Sequence, residues 1–152
     1  MQITQQQQGL MVDGSLMRLH VAQPKAEGFY PGVVFFSDIY QLGEPMLRLA
    51  NRLAGYGYVV AAPEIFHRLE RPGTVMEPGG VGRLRGNADA KATPVAAYDA
   101  DARAVLRAFL GVRELLWEFG VRPAGGPEPP RPEGGAVPRK RPPRVQRVRV
   151  QG

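Results

Sequence analysis

At 152 residues with 43% hydrophobic side chains, the chain is long enough for one globular domain with a buried core. It has no cysteine, which excludes disulfides, thiolate metal sites and a cysteine nucleophile. The formal charge of +6 is confined to the end: residues 121–152 hold seven Arg, one Lys and two Glu, so residues 1–120 balance and carry no net excess that would mark a nucleic-acid-binding face.

The N-terminus, Met1-Gln2-Ile3-Thr4 and then four glutamines, has neither a basic nor an apolar leader region, and no apolar run reaches membrane-spanning length. A cytoplasmic protein is the expectation. Leu10–Val12 and Leu16–Val21 flank Asp13-Gly14, where a glycine accepts the positive φ of a tight turn, so a β-hairpin is predicted. Met17, Leu19 and Val21 alternate with Arg18 and His20, which places His20 on a solvent-facing side.

Gly32–Phe36 is an unbroken apolar run, as in a parallel strand covered on both faces. From Glu44 to Ala54 the apolar positions recur at helical spacing, with Pro45 in the first turn and Gly55 or Gly57 as the stop. Tyr58–Ala62 is the next buried strand. Together these make a βαβ unit, in which the two strands run parallel.

Residues 63–92, rich in Pro, Gly and charge, read as a long irregular excursion from the end of a strand where open α/β sheets bind ligands. Within it Gly79-Gly80-Val81-Gly82 precedes no periodic helix and so makes no phosphate loop. A further helix begins with Thr93 as N-cap and Pro94 at its first position. It carries Val95, Tyr98, Ala102, Val105, Leu106 and Phe109 on one face and ends near Gly111. The fold class is therefore α/β: a partial sheet built from a hairpin, a βαβ unit and one more helix.

Residues 112–120 can extend that helix, but the strand that the alternation demands next is missing. Residues 121–152 contain eight of the fifteen prolines and no Leu, Ile, Phe, Tyr, Trp or Met, too little apolar surface to offset ordering, and are expected to be disordered. Arg139-Lys140-Arg141 and Arg144 to Arg149 suit a salt-sensitive arm for nucleic acid or an acidic surface. The same Arg, Pro, Gly and Ala bias is what GC-rich codons yield when read without selection for folding. The competing expectation is thus a frameshift near residue 111.

Tyr30–Tyr40, then Arg52-Leu53-Ala54 ahead of Gly57–Val60 and Ala62-Pro63-Glu64-Ile65-Phe66-His67-Arg68, resemble the N-terminal half of the dienelactone hydrolase family. Gly86-Asn87-Ala88-Asp89 and Tyr98–Arg103 continue the likeness, which spans residues 9–110. The resemblance implies a partial α/β-hydrolase sheet, and hydrolysis of carboxylic esters or lactones by a nucleophile-His-Asp triad without a cofactor. It also implies that Ile39 supplies an oxyanion-hole N–H and that Asp38 stands for the acid near the resting nucleophile. That acid is more usually Glu.

The sequence offers nothing that matches the family's nucleophile, triad Asp or triad His. There is no Gly-x-Ser-x-Gly, and the two serines, Ser15 in the hairpin and Ser37 at a strand end, lack an elbow. The chain is therefore expected not to turn over. His67 follows the end of a strand but is expected to be structural or at the surface. Asp99 and Asp101, early in their helix, are expected to complement its dipole. Asp38 with Glu44, or Glu64 with His67, lack metal-ligand spacing, so no metal is expected. Arg83 and Arg85 lie where the family places a basic residue for a substrate carboxylate, at a loose alignment. Loss of the later strands should leave an apolar edge prone to self-association.

Overall fold

The computed structural model describes residues 1–110 and 147–150. The proposed helix extension at 112–120 and the tail up to residue 146 lie outside the described residues. Five strands form one sheet in the order β1-β2-β4-β3-β5. They are β1 (Ile3–Val12), β2 (Ser15–Pro24), β3 (Gly28–Val34), β4 (Val59–Pro63) and β5 (Arg147–Val150), with helices α1 (Glu44–Gly55), α2 (Gly80–Ala92) and α3 (Val95–Leu110).

The predicted hairpin forms and is longer than its apolar pattern suggested, pairing from Ile3 with Pro24 down to Val12 with Ser15. Asp13 and Gly14 both take positive φ, 50° and 76°, as a two-residue turn between twisted strands requires. The glutamines of β1 show no period of their own, so their strand state is fixed by the register with β2 rather than by local preference. β3, α1 and β4 form the βαβ unit, with Gly32–Val34 parallel to Val59–Ala61. β4 is buried along its whole length.

Both faces of the sheet are covered. Met17, Leu19, Val21 and Ala61 pack with Val105 of α3 on one side, while Ala22 and Val60 pack with Ala50 and Ala54 of α1 on the other. This double cover overturns the solvent-facing placement of His20. It points toward α1 and is buried, its Nδ1 3.1 Å from Gln7 Nε2 and its Nε2 2.9 Å from Asn51 Oδ1. An alternating strand exposes one face only when that face has no helix on it.

Three further expectations need correction. The excursion at 63–92 ends in a helix, α2, which begins within the Gly79–Gly82 cluster, with Gly79 as its N-cap. Three of its first seven residues are glycine and Gly86 is its buried residue, so no apolar stripe announced it. Thr93 does not cap α3: its hydroxyl donates to Asp89 O at 2.8 Å, closing α2. The buried stripe of α3 runs through Ala97, Asp101 and Val105, and Val95 is 76% exposed.

β5 lies inside the segment expected to be disordered. It pairs antiparallel with β3, from Gly28 with Val150 to Pro31 with Arg147. Composition argued against order there, but Val148-Arg149-Val150 alternates with period two. Val150 is buried, and the Arg149 guanidinium sits 5.8 Å from the centre of the exposed Phe29 ring. Among the described residues, no helix is long and apolar enough to cross a membrane.

Candidate functional site

The chain leaves β3 and β4 at the same end of the sheet, and the two exits are fastened together by one side chain. Asp38 to Gln41 form a turn closed by Gln41 N–H donating to Asp38 O at 3.1 Å, and Asp38 Oδ1 accepts the Tyr40 N–H at 2.9 Å. A short carboxylate that bonds its own backbone two residues on is a common turn device. Gln41 takes φ of 65°, unusual for a side chain of that size, and is 1% exposed. It is held there by its amide: Oε1 accepts the Phe66 N–H at 3.1 Å and Nε2 donates to Thr74 O at 2.9 Å. One glutamine thus ties the segment after β3 to both halves of the segment after β4.

A cavity of about 310 Å³ opens at this end, within the small-molecule range. Phe36, Ser37, Asp38 and Ile39 line one side, Ile65 and Phe66 another, and Ala90 and Tyr98 complete it from α2 and α3. Phe36 and Tyr98 meet edge to face with centroids 6.2 Å apart. The amides of Tyr40 and Gln41 are taken by Asp38, whereas among the described residues the Ile39 N–H has no acceptor. Gly86 presses α2 onto this turn so closely that a Cβ there would overlap the Ile39 carbonyl oxygen. The two residues singled out for the oxyanion side, Asp38 and Ile39, therefore both line the cavity. Ser37 joins them, its hydroxyl buried and without a partner among the described residues.

A second cluster lies apart from this cavity and was not anticipated. Ser15 Oγ donates to His67 O at 2.6 Å and lies 2.9 Å from His67 Nδ1, while His67 Nε2 is 3.0 Å from Asp101 Oδ1. The His67 and Asp101 side chains have no exposed surface. Arg68 reaches Asp101 at 2.8 and 3.2 Å and Asp13 at 2.8 Å. Burial alone would raise the Asp101 carboxyl, but the hydrogen bonds and charges of His67 and Arg68 outweigh it and hold the group below its ordinary value.

Serine, histidine and aspartate in a row have the connectivity of a nucleophile, base and orienting acid. The surroundings fit a structural lock better. The Ser15 proton is directed at a backbone carbonyl, Arg68 competes for the same aspartate, and Ser15 does not line the cavity. The structural expectation for His67 fits this arrangement, and its surface alternative does not. The dipole reading fails for both: α3 has no acidic residue in its first turn, exposed Asp99 lies beyond it, and the buried Asp101 carboxylate is taken by His67 and Arg68. The spacing Ala97, Asp101, Val105 was the available signal, since a carboxylate in a buried stripe needs partners.

Glu64 is 4% exposed and accepts the Gly73 N–H at 2.8 Å, with Arg18 at 3.8 Å. Its carboxyl is pushed up, first by burial, against the lowering effect of Gly73 and Arg18. Arg85 lies on α2 rather than in a loop and is spoken for. Its Nε donates to Glu70 Oε1 at 2.6 Å, and its terminal nitrogen pairs with the other oxygen of Glu70. The Asp89 carboxyl, beside Glu70, is pushed up by burial and then by that neighbouring carboxylate.

Residues 17–109, more than half of the chain, match the family described as "Dienelactone hydrolase family". A yeast protein (Saccharomyces cerevisiae) named "Putative carboxymethylenebutenolidase" is 41% identical over 63 residues, which are 39% of this chain and 23% of that protein. Among solved structures, a "Putative Dienelactone Hydrolase" from Klebsiella pneumoniae is similar with a TM-score of 0.58 and 26% identity, over 69% of this chain and 42% of that one. A structure named "m3DLH" is similar with a TM-score of 0.57 and 22% identity, over 74% of this chain and 45% of the other, and speaks to the fold alone. The chain thus spans less than half the length of the relatives it matches.

Proposed function

Since the chain belongs to the dienelactone hydrolase family, as the match over residues 17–109 shows, we propose that the cavity at the ends of β3 and β4 is the acyl-binding and oxyanion side of a carboxylic-ester or lactone hydrolase site. The observation that carries this reading is the Ile39 N–H, which among the described residues has no acceptor and lies beside a cavity of ligand size. A preorganised backbone donor is what a carbonyl oxygen needs as it gains negative charge during acyl transfer. The Asp38 turn and the close seat of Gly86 hold that donor still. Asp38, by the same reading, faces the nucleophile in its resting state. The partner is a small-molecule ester or lactone.

The residues 1–111 form the N-terminal part of such a domain. The 152 residues contain no cysteine and no Gly-x-Ser-x-Gly, and Ser15 and Ser37 occupy neither an elbow nor a position next to a free base. The chain by itself therefore binds an ester without hydrolysing it. Titration with phenyl acetate, followed by amide resonances, tests both parts. The Ile39 resonance is expected to move, Ile39→Pro is expected to abolish binding by removing the N–H, and no acetate is expected to be released above the buffer rate. Absence of a shift at Ile39, or an acetylated Ser15 or Ser37 by mass spectrometry, overturns the reading.

A further inference from the structure

On the opposite side of the sheet from β3 and β5, β1 is an edge strand, and among the described residues no strand pairs with its outer side. Natural edges are guarded by charges, proline, a bulge or shortness. β1 has none of these: its ten residues include no charge and no proline, and its register with β2 runs unbroken from Ile3 to Val12. The other edge is guarded, since β5 carries Arg147 and Arg149.

The partners of each β1 side chain fix the face it takes. Ile3 packs with the α1 cluster, Gln5 Oε1 accepts from Asn51 Nδ2 at 3.1 Å, and Gln7 Nε2 lies 3.1 Å from His20 Nδ1, so odd positions look toward α1. Leu10 and Val12 pack in the cluster of Val105, so even positions look toward α3. Met11 continues the α1 side yet is 67% exposed, and its β2 neighbour Leu16 is 44% exposed.

A twofold axis perpendicular to the sheet keeps each face continuous across two copies, so opposed residues must share parity. Centred on Gln7, that axis sets Gln7 against its own copy, and it sets Gln6 against Gln8 and Ile3 against Met11, twice each. The centre satisfies itself, because a glutamine amide both donates and accepts, and the Gln7 carbonyl oxygen has no partner among the described residues. At the ends, Ile3 of one copy covers the exposed Met11 of the other, which pins a register that glutamines alone would leave free to slip. An unrelated strand would have to match both apolar positions at that spacing, whereas a second copy does so by symmetry.

We propose that β1 is a self-recognition edge: two copies of this chain join antiparallel through Ile3–Met11 about a twofold axis at Gln7, making one sheet that runs through both. β2 and β4 separate β1 from β3, so the pairing stands whether or not the cavity binds an ester.

Sedimentation of the full chain across a concentration series is expected to show a monomer passing into a dimer. Gln6→Lys combined with Gln8→Lys sets like charges opposite each other twice, and is expected to raise the dissociation constant at least about tenfold. The same added charge on the exposed face of α2, as Asn87→Lys with Ala88→Lys, is expected to leave it within about twofold. The register has its own readout, because the chain has no cysteine. Gln7→Cys places one thiol on the axis, and a short bismaleimide is expected to link two such chains. Thr4→Cys is expected not to link, since the two copies of position 4 stand six residues out of step, about 20 Å apart. A chain that stays monomeric, association that ignores the paired lysines on β1, or linkage through position 4 as ready as through position 7 overturns the proposal.

Discussion

Asp101→Asn tests the buried cluster between the hairpin turn and α3, because it keeps the shape of the side chain and removes its charge. Asp101 has no exposed surface and receives His67 Nε2 at 3.0 Å and Arg68 at 2.8 Å. Removing one partner of a buried pair costs about 3–5 kcal/mol, since the other charge is left behind. Here Arg68 keeps Asp13 at 2.8 Å, and Asp13 is 62% exposed, so part of the guanidinium charge stays matched and hydrated. The expected loss is therefore near the lower end, about 3 kcal/mol at pH 7. The exposed Glu44–Arg48 pair, at 3.8 Å, should by contrast be worth about 0.3–0.5 kcal/mol. The pH dependence has a definite sign. The folded carboxyl titrates below its unfolded value, so its contribution is complete above the ordinary carboxylate range and disappears as pH falls through the folded value. Urea unfolding of both proteins across an acid series measures this. The gap should be widest at neutral pH and close in acid. A gap below about 1 kcal/mol at neutral pH, or one that ignores pH, would refute the account of the cluster as a charged lock.

Gly86→Ala should cost about 1–3 kcal/mol and move the Ile39 amide resonance, because its Cβ would meet the Ile39 carbonyl; Gly55→Ala, with open space around it, should be neutral or mildly stabilising by thermal melting. Gln41→Ala should lose about 2–3 kcal/mol in urea unfolding, since the Phe66 N–H and Thr74 C=O lose their partners in a buried place. Glu64→Gln keeps an oxygen for the Gly73 N–H while removing a buried charge whose folded titration is raised. Raised titration favours the folded state only at low pH, so the variant should gain on the wild type as pH climbs from 4 to 7, seen as a growing difference in melting temperature.

The βαβ unit was legible because its signals are local: two apolar runs, a helical period between them, and a glycine stop. What escaped were features whose cause lies elsewhere in the chain. His67 and Asp101 are 34 positions apart, and nothing near either one announces the other. His20 was misplaced because the helix that buries it, α1, contributes Asn51 from 31 residues away. The strand at 147–150 was hidden by a composition that averages over the prolines before it, though Val148 and Val150 carry a strand's period. α2 was hidden because its packing depends on the absence of a side chain at Gly86, and an absence leaves no periodic trace. At the site, Asp38 and Ile39 came from resemblance, while Gln41 could not have been found: a glutamine in a loop looks like solvent until its two bonds are seen.

The outer edge of β3 links these observations. The described part of β5 pairs with Gly28 to Pro31, and among the described residues Gly32–Val34 has a neighbour on the β4 side only. Unpaired strand edges invite another strand, and an arginine-bearing strand discourages further pairing where it lies. Gly32–Val34 is the half of β3 nearest the cavity. That half leads directly into Phe36, Ser37, Asp38 and Ile39. A strand added there in parallel would end beside the Ile39 N–H, because parallel neighbours finish at the same end of a sheet. A strand in that place whose final residue presented a nucleophile would set it beside a carbonyl held by Ile39, which is the arrangement the proposed ester site requires.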